Sequence, residues 1–235
     1  MNFSNWIKNK FRKKHSAFDS TIPFNRFESL GYNCEFGFVL RKNNNEISSF
    51  FRWTFIHDYK DLCNIISNEF KDVFLYENLS PSIQSRTSVT DNLYNIRFHS
   101  VIHNHLVNEK AEYLDENELV KEKYDQEFQK FMYLKNNFLH NLHNKKMVYV
   151  IKSIYSNEMP EIIKLSEIIR KKSKNKCQVL CVTIIDNKKD LFKIKKVAKS
   201  LYIGYIDKFS PQSQADDCNY DGWKKLLKNA EIIIK

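Results

Sequence analysis

The last third of the chain shows the clearest pattern of apolar positions. Short apolar runs predict three buried strands, at residues 147–153, 178–185 and 201–206. Apolar residues spaced three and four apart predict helices at residues 159–172, 189–199 and 221–230. Strands that alternate with helices indicate an α/β fold, with a mostly parallel sheet, flanking helices and right-handed β-α-β crossovers.

The first two thirds of the chain give weaker signals of the same kind. Extended segments are predicted at residues 27–30, 49–56 and 93–99. Helices are predicted at residues 34–42 and 58–70, with a long one somewhere within residues 115–143. Residues 1–23 have the character of a basic N-terminal arm and linker. We therefore expect a single α/β domain over residues 24–235.

The amino-acid composition restricts the possible fold classes and binding partners. Only four Gly and four Pro are present, which disfavours an all-β sandwich with many tight turns. The net charge is +10, from 38 Lys and Arg against 28 Asp and Glu. Such an excess could attract nucleic acid, anionic lipid or phosphorylated sugars, but we favour a general compositional bias towards Lys as its explanation. Because no nucleic-acid-binding motif accompanies the charge, we expect no specific nucleic-acid binding.

Residues 6–15 form a short basic amphipathic segment, with Trp6, Ile7 and Phe11 on one face. Two interpretations are open: a weak contact with an anionic membrane surface, or, as we favour, a solvated arm. No apolar segment resembles a signal peptide, and no run approaches the roughly 20 residues that span a bilayer. The five scattered cysteines then fit reduced thiols in a cytoplasmic protein. A zinc site at Cys177 and Cys181 lacks a second ligand pair, and we expect no metal and no cofactor.

Cys34 stands in the most informative segment, directly after a turn containing Gly31 and at the start of a predicted helix that Asn33 would cap. Helix N-termini carry free N–H groups and partial positive charge, which acidify a thiol and hold an oxyanion. The alternative is that Cys34 is a small buried residue that packs the start of the helix.

A cysteine nucleophile needs a base, and seven histidines are available. His99 ends a predicted strand, where a side chain at the rim of a sheet can reach a site. His103 and His105 follow in a loop, and the three together resemble a metal-binding tract that lacks a matching carboxylate. A third, orienting group stays open among Asp58, Asp91 and Asn104.

The motif that runs from Ser29-Leu30-Gly31 to Cys34 resembles a bacterial family of unknown function described as papain-like cysteine peptidases. Further resemblance lies in the aromatic block Phe50–Trp53 and in the segment Tyr94–His99, and it covers most of residues 27–230. The resemblance implies that Cys34 is the nucleophile and His99 the base. The closer variant of the family looks like proteins found among surface-polysaccharide and glycosyltransferase genes. Around the pair, we expect substrate contacts from Asn33, Glu35, Arg41, Arg52, Trp53 and His103.

Three functions follow as hypotheses. The first is a cysteine-dependent hydrolase or acyltransferase that acts on a small molecule, a saccharide or a peptide. The second is a surface-polysaccharide biosynthesis protein, glycosyl- or acetyltransferase-like, in which Cys34 is structural and Arg41, Arg52 and Arg97 bind an anionic sugar or phosphate. The third is a non-catalytic binding module. A sulfur-to-imidazole distance within about 4 Å in an accessible cleft favours the first.

Overall fold

A computed structural model describes residues 24–56, 58–154, 156–211 and 213–235. The basic segment 6–15 and the linker up to residue 23 lie outside these ranges. The strands, in chain order, are β1 Phe27–Ser29, β2 Thr54–Ile56, β3 Leu79–Pro81, β4 Ser88–Asp91, β5 Ile96–His99, β6 Asn104–Val107, β7 Lys110–Tyr113, β8 Val148–Ser153, β9 Gln178–Ile184, β10 Ile194–Lys196 and β11 Leu201–Ile206. The helices are α1 Glu35–Lys42, α2 Tyr59–Ser67, α3 Asn117–Asn144, α4 Met159–Lys172 and α5 Tyr220–Ile233.

The larger sheet has the strand order β1-β8-β9-β11-β10. Its first four strands are parallel, and β10 pairs antiparallel with β11 at one edge. The mixed α/β class and the mostly parallel sheet are therefore confirmed. The handedness of the crossovers stays a prediction.

Strand alternation gives this sheet two buried faces. In β8, Tyr149 and Ile151 belong to one apolar cluster, while Val148 and Val150 belong to another. Successive side chains of a strand point to opposite faces, so each face needs its own cover. Helices α2, α3 and α4 supply buried residues to the first cluster, and α1 and α5 supply them to the second.

The smaller sheet is antiparallel, with the strand order β2-β5-β4-β3. Strands β6 and β7 form a separate hairpin. Ile96 and Phe98 of β5 belong to the same apolar cluster as Tyr149 and Ile151 of the larger sheet. One body of buried side chains therefore supports both sheets, and this fixes the rim of the smaller sheet relative to the larger one.

Most of the predicted elements are present, within a few residues at their ends. The helix predicted at residues 189–199 is wrong. Phe192 has a φ of 62°, which an α-helix excludes, and Ile194 opposite Gly204 pairs β10 with β11. The free edge of β11 provides backbone partners, and this pairing overrides the local helical spacing. The segment predicted as extended at residues 49–56 is a strand only over its last three residues.

Within the part of the chain that the structure describes, none of the helices has both the length and the apolarity required to cross a bilayer.

Candidate active site

The turn after β1 places Cys34. Leu30 continues the pairing with β8 by donating its N–H to the carbonyl of Val150, at 3.0 Å. Gly31 then adopts a φ of +89°, and a Cβ there would lie 2.8 Å from Cδ1 of Ile56. Both the backbone angle and the lack of space require glycine at this position. The chain can therefore turn sharply away from the carboxyl end of β1 and bring Cys34 to the start of α1.

Helix α1 begins at Glu35, so Cys34 itself occupies the N-cap position. The side chain of Asn33 nevertheless performs the predicted capping function, because its Oδ1 accepts the N–H of Glu35 at 3.1 Å. The nucleophile is thus held between a glycine turn and a helix terminus whose first N–H group is satisfied.

The second strand element of the site is β5, which carries His99. Ile96 and Phe98 point into the core, whereas Arg97 and His99 alternate with them on the other face. That face is turned towards the carboxyl end of β1. As a result, Sγ of Cys34 lies 3.5 Å from Nε2 of His99, although the two residues are 65 positions apart in sequence.

A cleft of about 420 Å³ opens over this pair. Cys34 is partly exposed and His99 is exposed, so both reach solvent and a substrate could reach both. The cleft has aromatic walls and polar groups near the pair, namely Phe38, Trp53, Phe55, Ser85, Ser88 and Arg97. The site satisfies the distance criterion for a thiol nucleophile and its base.

A buried ion pair lies behind Cys34. The carboxylate of Glu35 is fully buried and accepts hydrogen bonds from Nζ of Lys152, at 2.6 Å, and from Nε1 of Trp223, at 2.8 Å. Lys152 lies near the end of β8, and its ammonium also lies 5.0 Å from the ring of Tyr32. These contacts tie the start of α1 to the sheet and to α5.

Burial favours the neutral forms of both members of the Cys34–His99 pair. Burial raises the pKa of the Cys34 thiol, and the positive charges of Arg97 and Lys152 oppose this more weakly. Burial, with Arg97 and Lys130, lowers the pKa of His99. Burial therefore outweighs the lowering of the Cys34 pKa that we expected from the helix N-terminus. Activation must come from His99 taking the proton as the sulfur attacks.

None of the three candidate orienting groups is hydrogen-bonded to His99. The carboxylate of Asp91 accepts backbone N–H groups, among them that of Phe74, and Asp58 caps α2. The amide of Asn104 donates to the carbonyls of the segment 85–88. Among the described residues, no carboxylate or amide is hydrogen-bonded to the second ring nitrogen of His99. The base is therefore oriented by its strand.

Comparison with known proteins identifies the family. A family model described as "Putative papain-like cysteine peptidase (DUF1796)" matches residues 25–189, more than half of the chain, including Cys34 and His99. The chain belongs to this family. No curated protein and no solved structure matches the chain. The resemblance noted in the sequence is thus confirmed for the DUF1796 family, whose matched segment ends before Trp223.

The other residues expected around the DUF1796 site have different surroundings. Asn33 and Trp53 line the cleft with Cys34, whereas Glu35 is fully buried and lies behind it. Arg52 is only 3% exposed, and its guanidinium donates to the carbonyl and side-chain oxygens of Asn45.

Two further residues expected there do not line the Cys34 cleft. Arg41 lies 4.5 Å from the ring of Trp53 and lines neighbouring cavities. His103 is exposed, and its carbonyl accepts the N–H of Leu114. These two positions therefore do not contact the nucleophile cleft.

Lys152 and Arg97 are the residues that sequence reasoning undervalued. Lys152 was hidden inside an apolar strand run, where a single lysine gave no signal of its buried partner Glu35. Arg97 was only one of three candidate arginines. Its spacing of two from His99 on a strand was the available signal, because residues i and i+2 share a face.

Proposed function

We propose that this protein is a cysteine-dependent hydrolase that acts on acyl bonds. The 3.5 Å contact between Sγ of Cys34 and Nε2 of His99, in a cleft open to solvent, carries this proposal. Membership of the DUF1796 family supports it.

In the acylation step, the thiol proton passes from Cys34 to Nε2 of His99 as the sulfur attacks the substrate carbonyl carbon. The tetrahedral intermediate then collapses: the bond to the leaving group breaks, and the leaving group takes the proton from the His99 imidazolium. A thioester on Cys34 remains. The partial positive charge at the start of α1 stabilises the oxyanion.

Deacylation repeats these roles with water. His99 accepts a proton from a water molecule as the water oxygen attacks the thioester carbon. The proton then passes from His99 to the departing sulfur of Cys34. A carboxylic acid and the free thiol result. Transfer of the acyl group to another nucleophile would use the same thioester, so the nature of the acceptor distinguishes a hydrolase from an acyltransferase.

The alternative function, with a structural cysteine and three anion-binding arginines, fits the geometry less well. Arg41 and Arg52 line a separate cavity of about 280 Å³, whereas Arg97 lines the cleft of Cys34. Cys34 is also partly exposed, which a purely structural cysteine does not require. These observations support the hydrolase over the polysaccharide-biosynthesis protein.

The test uses p-nitrophenyl acetate, a neutral activated ester. We expect a burst of p-nitrophenol and an acetyl group on the peptide that contains Cys34, located by mass spectrometry. Cys34→Ala should abolish both signals. Cys218→Ala is the matched control, because Cys218 is the other partly exposed thiol among the described residues. An unchanged burst of p-nitrophenol from Cys34→Ala would refute the proposal.

A further inference from the structure

Arg97 lacks the partner that a half-buried cation normally has. Its guanidinium lies 4.3 Å from the ring of Phe55, directly across from it in the strand pair. In the described chain, no carboxylate or other acceptor is hydrogen-bonded to this guanidinium. Arg52 and Arg170 differ in this respect, because each donates several hydrogen bonds to protein oxygens.

The cleft around Arg97 carries no opposite charge. Among the described residues that line it, none is Asp or Glu, and Arg97 is its permanent charge. A neighbouring cavity of about 270 Å³ shares Trp53 and His99 with the cleft. It adds Arg41 and Lys130, again without a carboxylate in its described lining. The described residues that line the space on both sides of His99 are therefore cationic or neutral.

Arg97 also lies beside the reacting groups. It is two residues from His99 on the same face of β5, which separates their Cα atoms by about 7 Å. Its charge acts on both Cys34 and His99. A bound anion at Arg97 would thus lie next to the scissile carbonyl.

We propose that the cleft accepts acyl compounds that carry a carboxylate near the scissile carbonyl, and that Arg97 binds this carboxylate. The inference rests on the proposed hydrolase function, because it defines the substrate class of the same site. A guanidinium binds a carboxylate through two parallel N–H groups, which gives both strength and orientation. A phosphate usually recruits several basic groups, whereas Arg97 is the one Lys or Arg among the described residues that line the Cys34 cleft.

The test compares two alkylating reagents of nearly equal size, anionic iodoacetate and neutral iodoacetamide. Their rate constants are measured at Cys34 at pH 7 and low ionic strength, with glutathione as the reference thiol. We expect the iodoacetate-to-iodoacetamide ratio at Cys34 to exceed that of glutathione by about tenfold. Propionate should protect Cys34, and propionamide should not.

Three variants test whether Arg97 causes the preference of Cys34 for iodoacetate. Arg97→Gln should lower the ratio to the glutathione value, and Arg97→Lys should keep part of the preference, because it retains the charge but not the paired donors. Arg41→Gln, in the neighbouring cavity, should change the ratio by less than about twofold. Circular dichroism spectra and melting temperatures verify that each variant folds.

Several results would overturn the inference: a wild-type ratio equal to that of glutathione, a ratio that Arg97→Gln leaves unchanged, or stronger protection by inorganic phosphate than by propionate. The two proposals also fail separately. Acetylation of Cys34 by p-nitrophenyl acetate without any iodoacetate preference refutes the carboxylate class alone. An iodoacetate preference without acetylation refutes the hydrolase and leaves an anion-binding thiol.

Discussion

The nucleophile and the base are held in place by different physical means. Behind Cys34, Glu35 and Lys152 form a fully buried ion pair that Trp223 completes. Around His99, by contrast, the structure describes no polar partner for the second ring nitrogen. The neighbouring Ser100 instead donates to the buried carboxyl group of Glu127.

This difference separates stability from reactivity. Breaking the ion pair behind Cys34 should cost folding free energy, since a charge would stay buried without its partner. Changing the exposed His99 should cost activity and little stability. The following four experiments examine this division, in order of decreasing expected effect.

Lys152→Met should lower the free energy of unfolding by about 3–5 kcal/mol, because it leaves the Glu35 carboxylate buried without a counter-charge. Urea denaturation measures the loss. Lys172→Met is the matched control, because Lys172 pairs with Glu69 at the surface, where an ion pair contributes about 0.2–1 kcal/mol. Equal losses in the two variants would contradict the distinction between the buried pair and the surface pair.

His99→Gln should lower the rate of acylation by p-nitrophenyl acetate about 100-fold at pH 7, because the proton acceptor is lost. The pKa of His99 is lowered below 6.5 and that of Cys34 is raised above 9.0. The wild-type rate should therefore be constant between these limits and fall below the lower one. In the variant, the fall at low pH that reports His99 should disappear.

His103→Gln serves as the control for this experiment, because His103 does not line the cleft. Its pH profile should match that of the wild type. A wild-type profile that stays flat well below pH 6 would instead indicate a stable thiolate–imidazolium pair.

Glu127 lies near His99, because its carboxyl group accepts the hydroxyl of Ser100. Glu127→Gln should change how the free energy of unfolding depends on pH. Burial raises the pKa of Glu127 above its ordinary 4.5. Its contribution to folding is therefore full below that value and is lost as pH rises through the raised pKa. Relative to the variant, the wild type should lose free energy of unfolding as pH rises. Parallel curves would show that Glu127 does not titrate in this way, and Glu122→Gln on the solvent face of α3 is the control.

Phe55→Leu should have the smallest effect. Removing the ring beside Arg97 forfeits a cation–π contact of about 0.5–1 kcal/mol, equivalent to a roughly twofold to fivefold loss of iodoacetate preference at Cys34. The alkylation ratio measures it. Phe38→Leu, on another wall of the same cleft, should leave the ratio unchanged, and an equal effect of the two variants would argue against a specific role for the Phe55 ring.

The sequence was sufficient to predict the elements that carry the reacting pair. The glycine turn before Cys34 and the strand ending at His99 both have local signals, although these are weaker than those of the last third of the chain. Their proximity rested on the family resemblance, because no local pattern shows that the rim of an antiparallel sheet faces the end of β1. The pairing of Glu35 with Lys152 spans 117 positions and could not be inferred from spacing.

The helix predicted at residues 189–199 shows that a local pattern can also predict the wrong element. Its apolar spacing was adequate for a helix, but local spacing carries no information about an unpaired strand edge elsewhere in the fold. The acidified Cys34 thiol that the helix terminus predicts is wrong for a related reason. The helix terminus is visible in sequence, whereas the burial that outweighs it depends on the packing of both sheets.

The contacts that define the site also determine when it can form. Strand β1 pairs with β8 across more than a hundred residues. The carboxylate of Glu35 accepts a hydrogen bond from Trp223, which lies 188 positions later. Contacts between distant segments form slowly, since the entropy of loop closure must be lost first. A nascent chain that ends before Trp223 therefore has Cys34 and His99 but lacks one of the two donors that hold the Glu35 carboxylate behind Cys34.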